Sequence, residues 1–226
     1  MKRQIRRNVF ETNSSSMHSL CIMKRDDTYL SSEILDDIHI EKDGIWKIDS
    51  EDLYFERTPF RAIGTFSGKW KYACASLVGD YNDDTYKKLL ALALKYISGL
   101  KKIELPTQRR RIYDAGDNNR TYCDRMSTKD FETYIKRKEK EWGIDEIEYW
   151  KDEDNNFVFD CPYTGYSDDY FLNDFLEETK VTLEEFLTNK KYVIIQDGDE
   201  YCYWKDMKNT GLINKDAIEY EYSKRK

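Results

Sequence analysis

The spacing of apolar residues changes several times along the chain, and each change marks an element. Ile5–Glu11 and Met17–Met23 are short runs of β-forming residues separated by Thr12-Asn13-Ser14-Ser15-Ser16. The chain is therefore expected to open as strand, loop, strand. Ser31 and Ser32 are placed to cap a short helix over Glu33–Asp37, and Gly44–Ile48 and Asp52–Glu56 alternate as strands do. Beyond Pro59 the period lengthens. Trp70, Ala73, Cys74 and Leu77 fall at helical spacing within Ser67–Val78, and Leu89, Leu90, Ala93, Leu94 and Ile97 form one stripe within Asp83–Ser98. Asn82 or Asp83 supplies the N-cap of that second helix and Gly99 its end.

Lys101–Leu105 reads as a strand ended by Pro106, and Gln108–Thr128 as a polar, basic loop. A charged helix then runs from Ser127 or Thr128 through Trp142, stopped by Gly143. Ile144–Lys151 and Phe157–Phe159 read as strands around the turn residues Asp152–Asn156. Ser167 opens a helix through Glu178, and Thr182-Leu183-Glu184-Glu185 is a capping box for a helix ending at Thr188. Tyr192–Gln196 is an apolar run of the kind that lies inside a sheet. It is followed by the Asp197-Gly198 turn, Tyr201–Trp204 and an edge strand over Ala217–Tyr222. Mixed elements without regular βαβ alternation predict an α+β fold: a mixed sheet, the N-terminal strand-loop-strand and several inserted helices. The expected organisation is a single domain over residues 1–226, with 106–143 as an inserted basic and helical segment.

Composition limits the function. The chain has 226 residues, 36% of them charged and 15% aromatic. That aromatic content exceeds what disordered chains carry and suits a folded core. The N-terminus lacks the apolar stretch of a secretory signal, and no run is long enough for a membrane span, so a cytoplasmic protein without membrane contact is expected. Five scattered cysteines without C-x-x-C spacing read as reduced thiols. No cofactor is identified from the sequence. The turn carrying Asp197, Asp199 and Glu200 is the candidate for a divalent cation, or for a second acid beside the N-terminal segment.

Charge is uneven. Basic residues number 37 against 44 acidic, a net −7, which argues against duplex DNA as a partner. Residues 1–25 carry a local +5, residues 101–140 hold 12 basic against 7 acidic, and residues 144–200 hold 17 acidic against 4 basic. Arg109-Arg110-Arg111 with Tyr113, Arg120 and Tyr122 mixes guanidinium groups and rings as single-strand nucleic-acid binders do, although Asp114, Asp117 and Asp124 interrupt it. In the acidic stretch, Tyr163, Tyr166, Asp168, Asp169 and Tyr170 form a tyrosine-rich, carboxylate-rich surface suited to a basic protein partner. The opposed charges also leave a homo-oligomer open.

The densest chemistry lies near the N-terminus. Arg6, Arg7, Glu11, Asn13, Ser14, Ser15, Ser16 and His18 crowd a segment that should enter a core strand. Arg6, Arg7, Asn13 and Ser14 can form an anion-binding nest for a small phosphorylated ligand. Alternatively, Ser15 or Ser16 is a nucleophile, His18 its base and Glu11 the group that orients the imidazole. A third reading is structural, with the same groups closing the core as a hydrogen-bonded knot.

The segment R-R-N-V-F-E-T-N-S-S-S-M-H-S-L resembles the N-terminus of a protein family of phages and prophages of low-GC bacteria, which begins R-x-x-F-E-T-N-S-S-S-x-H-S. Arg7, Phe10, Glu11, Thr12, Asn13, Ser14, Ser15, Ser16, His18 and Ser19 match. Asn8 stands where the pattern has Gly, and Met17 where it has Thr. The resemblance implies a mobile-element accessory protein, and the expected action is binding of a host or defence protein through the acidic, tyrosine-rich face. It supplies no mechanism.

Overall fold

The computed structural model describes residues 17–23, 27–55, 61–78, 83–114, 125–142, 145–167, 171–197 and 217–220. The fold is α+β, with helices and several small sheets of mixed strand direction. The chain divides into two units, one formed by residues 1–104 with 164–226 and the other by 105–163.

In the first unit β1 is Met17–Ile22, α1 Ser31–Leu35, β2 Ile45–Lys47, β3 Tyr54–Phe55 and β4 Arg61–Ile63. They are followed by α2 (Phe66–Ala73), α3 (Asp83–Tyr96) and β5 (Lys102–Glu104). A 3-10 turn over Ser50–Leu53 precedes β3, and a π-helical turn over Cys74–Val78 extends α2. The second unit holds β6 (Thr107–Asp114), β7 (Arg125–Met126), α4 (Thr128–Trp142), β8 (Tyr149–Lys151) and β9 (Phe157–Pro162). The chain then returns to the first unit with β10 (Tyr166–Ser167), α5 (Phe171–Thr179), α6 (Leu183–Thr188), β11 (Tyr192–Asp197) and β12 (Ile218–Glu219).

The main sheet of the first unit has the order β12-β1-β11-β4. Its central strands carry apolar side chains on both faces: Leu20, Cys21, Ile194 and Ile195 are all fully buried, as expected for a strand covered on both sides. Beside it lies α2, whose Phe66, Ser67, Lys69, Trp70, Tyr72 and Ala73 are buried around most of its circumference. Thr65 caps this helix by accepting from the Gly68 amide at 3.1 Å, which satisfies one of the free donors of the first turn. The Trp70 indole donates to the Leu89 carbonyl at 2.9 Å and packs its ring 5.2 Å from that of Trp46. Along α3, Leu89, Ala93 and Ile97 are buried, whereas Leu94 of the expected stripe is 43% exposed.

The second unit is a four-stranded sheet of order β7-β6-β9-β8. Its core joins Ile112, Phe157, Phe159 and Cys161 of the sheet to Phe131 and Ile135 of α4. Phe131 stacks on Phe157 with centroids 4.2 Å apart.

The polar run from Gln108, expected as a loop, is instead strand β6 as far as Asp114, paired antiparallel with β9 from Thr107↔Pro162 to Ile112↔Phe157. Its neighbour supplies the apolar residues. The ladder hydrogen bonds hold a strand whose own sequence shows no alternation.

Candidate functional site

Arg6, Arg7, Glu11, Asn13, Ser14, Ser15 and Ser16 lie outside the described residues, as do Asp168, Asp169 and Tyr170. His18 lies on β1 opposite Gln196 of β11, and Gln196 is fully buried. The same register sets Met17 opposite Asp197. His18 of the N-terminal motif therefore lies on a central strand, and Asp197 ends the strand beside it, while Asp199 and Glu200 lie outside the described residues. Among the described residues, no group of three His, Cys, Asp or Glu side chains is arranged to hold a metal ion. No described helix is long and apolar enough to cross a membrane.

Of the tyrosines expected on the acidic face, Tyr163 is half-buried at the end of the second unit, its amide donating to the Pro106 carbonyl at 2.7 Å. Tyr166 is 43% exposed on β10 of the first unit. There it meets a residue the sequence did not single out. Strand β10 pairs in parallel with β3, Tyr166 opposite Tyr54, and the two rings stack with centroids 6.0 Å apart and planes 28° apart. Tyr54 is 41% exposed.

The turn that delivers Tyr54 carries Asp49, Ser50, Glu51 and Asp52, all exposed, with Asp52 bridged to Lys71 of α2 at 2.9 Å. Two tyrosine-bearing segments distant in sequence are therefore brought side by side, the one carrying Tyr54 flanked by exposed carboxylates.

Gly165 fixes this arrangement. Its φ of +108° favours glycine, and a Cβ there would lie 2.6 Å from the Ala75 Cβ and 2.7 Å from the Leu53 carbonyl oxygen. The chain can approach the π-helical turn this closely only without a side chain. Inside the neighbouring residues, Phe55 and Leu53 anchor the ladder in the core, Phe55 edge-on to Tyr72 at 5.1 Å.

A second constellation is interior. Lys69 of α2 is 0% exposed. Its ammonium donates to the carbonyls of Phe186 and Asn189, each at 2.8 Å, and sits 4.9 Å from the ring centroid of Tyr29 and 5.5 Å from that of Phe186. These carbonyls belong to the C-terminal end of α6, which has acceptors left over and the negative end of the helix dipole. Burial without a counter-ion pushes the Lys69 amine down to about 7.

The Tyr29 hydroxyl is buried and has no hydrogen-bond partner among the described residues. Burial, then Asp37, Glu33 and Asp27, push its ionisation upward, so it stays a neutral phenol. Ser67, also buried, donates to Asp37 at 2.5 Å. The sequence held a signal for Lys69, three residues after Phe66 and four before Ala73 on the stripe that faces inward.

In the second unit, strand alternation splits the arginine triplet. Arg109 and Arg111 share a face with Trp150, since Arg111 and Trp150 both lie opposite Val158. Arg109 sits 5.0 Å from the Trp150 ring centroid and 3.4 Å from Asp160, and Arg111 bridges Asp152 at 2.8 Å. Arg110 alternates to the other face, where its charge acts on Tyr134 of α4. The face of Arg109 and Arg111 thus pairs both guanidinium groups with carboxylates.

Comparison of the chain with models of known families, with curated proteins and with solved structures finds no match.

Proposed function

We propose that the protein acts by binding a partner protein through the acidic tyrosine face around Tyr54 and Tyr166. The observation that supports this is the exposed, stacked ring pair held on a short ladder whose inner residues are core. Exposed aromatic rings on a fixed backbone offer large contact area at small entropic cost, and tyrosine is enriched where binding energy concentrates. Asp49, Glu51 and Asp52 beside them favour a partner with a basic surface. On the N-terminal resemblance, that partner is a host or defence protein met by a mobile-element accessory protein.

The test is capture from a bacterial host lysate by immobilised wild type and by Tyr54→Ala/Tyr166→Ala, at low and high salt. Capture should weaken as salt rises and be lost in the double variant. Equal capture by the variant would sink the reading.

One observation favours a second reading. His18 of the serine-rich motif and Asp197, the first of the acidic residues 197–200, lie on adjacent paired strands, opposite Gln196 and Met17 respectively. Their chemistry suits a small phosphorylated ligand, bound with or without a divalent cation and with or without turnover. Thermal midpoints measured with inorganic phosphate, mononucleotides and divalent cations test it, since a ligand at a hundred times its Kd should stabilise by about 2.7 kcal/mol. Loss of that shift in Ser15→Ala/His18→Ala would place it at the motif. No shift with any of these ligands would set the reading aside.

A further inference from the structure

The segment just ahead of α1 crosses over Lys69. Residues Asp27–Leu30 form a strap tied to the end of α6 by backbone bonds: the Tyr29 amide donates to Thr188 at 3.0 Å and the Lys190 amide to Asp27 at 2.8 Å. Thr28 bridges Asn189. Ion pairs of Lys190 with Glu33 (2.6 Å) and with Asp27 (3.7 Å) fasten the outside. The Tyr29 ring is the strap's inner surface and lies against the Lys69 ammonium.

The titratable groups on the surrounding elements are engaged elsewhere. Asp27 and Glu33 pair with Lys190, and Asp37 accepts from Ser67. Glu184 takes Lys95 and Tyr96, while Glu185 takes Lys191 and Tyr192. Lys71, on the same helix as Lys69, pairs with Asp52. The partners of Lys69 are two carbonyls and two rings, and no carboxylate among the described residues pairs with it.

We infer that Lys69 and the strap Asp27–Leu30 form a proton-linked latch, in which protonation of the buried amine favours lifting of the strap and deprotonation favours its closure. The physical ground is asymmetric. A neutral amine still donates two hydrogen bonds to the Phe186 and Asn189 carbonyls, whereas the ammonium must keep a full charge away from water with only neutral partners. Lifting the strap, with its tyrosine ring, admits water to that charge. The amine supplies a donor to carbonyls at the end of α6, and the strap covers it with the Tyr29 ring.

The sign follows from linkage. The open state holds its proton up to the ordinary lysine range, while the closed state gives it up near 7. Between these limits closure releases one proton, so strap opening becomes about tenfold less frequent for each unit rise in pH. Below the lower limit both states are protonated and the dependence disappears. Glu33, held below its ordinary range by the hydrogen bond from Lys190, stays charged throughout and adds no slope.

The test is amide hydrogen exchange at Tyr29 and Lys190 between pH 6 and 9, corrected for the intrinsic rate. The wild type should gain about tenfold protection per pH unit above pH 7 and be flat below it. In Lys69→Met the slope should vanish. Lys190→Ala, which loosens the strap from outside, should lower protection by a similar factor at every pH with the slope retained. A pH-independent wild type overturns the latch, as does a slope that survives in Lys69→Met. If Lys69→Met does not fold, the wild type and Lys190→Ala decide: equal slopes in the two support the latch, and a slope lost in Lys190→Ala transfers it to the outer ion pairs.

Discussion

The first unit departs from the usual partition of residues twice, in opposite senses. Around Lys69 it buries a charge; at Tyr54 and Tyr166 it leaves two aromatic rings in water. The interior site is complete in itself, because the ammonium finds its acceptors at the end of α6 and its cover in Tyr29. The exterior site is built with comparable care, a glycine-dependent approach and a two-strand ladder, yet its rings stay about two-fifths exposed. A polar group inside calls for partners from the same chain, whereas an apolar pair fixed outside is most useful to a partner from another. On the two proposals made above, the first region serves stability and its regulation, and the second recognition.

That division is open to attack at several points. The largest expected effect is on the buried side. Lys69→Ala leaves the Phe186 and Asn189 carbonyls without their donor and opens a cavity, so urea unfolding at neutral pH should show a loss of about 2–4 kcal/mol. Lys69→Met, which fills the space and removes the buried charge, should lose less than half of that. An equally large loss would mean that the hydrogen bonds to the two carbonyls, and not the volume, hold the joint.

Next is Gly165→Ala, which forces a left-handed φ on alanine and a clash with Leu53 and Ala75. It should cost about 1–3 kcal/mol and displace Tyr166, weakening partner capture with the core otherwise intact. Wild-type stability should also depend on pH. The folded-state amine lies below its unfolded value, so stability is greatest above the ordinary lysine range and declines as pH falls towards 7. The slope reaches about 1.4 kcal/mol per unit and levels out below 7. Denaturant melts at pH 6, 7, 8 and 9 measure it, and Lys69→Met should lack this component. The smallest effect is expected in the second unit: Arg109→Ala removes an exposed ion pair and a ring contact and should change stability by no more than about 1 kcal/mol.

Elements whose signals are local were legible in the sequence. Thr182 caps α6 by accepting from the Glu185 amide at 3.1 Å, and the apolar run at Tyr192–Gln196 is the interior strand it was read to be. The α+β class followed from the order of such elements. Strand β6 was missed because its arginines carry no alternation and the pairing strand lies beyond a helix and a hairpin. The helix expected from Ser167 starts later, at Phe171, since Ser167 is drawn into the ladder with Phe55. Of the face proposed for recognition, the sequence offered Tyr166 with its acidic neighbours but not Tyr54. Nothing local encodes a parallel two-residue ladder between segments separated by the whole second unit. Lys69 was passed over, because the helical stripe read from the sequence was Trp70, Ala73, Cys74 and Leu77, and the carbonyls that accept from it lie more than a hundred residues along the chain.

The central claim, recognition through the tyrosine face, is tested most directly by a photo-crosslinking amino acid placed at position 54, at 166 or at 150 in cells of a low-GC host. The account predicts adducts to the same host protein from positions 54 and 166, suppressed by raised salt when irradiation follows lysis, and none to that protein from position 150. Adducts absent from both tyrosine positions, or shared equally with position 150, would contradict it.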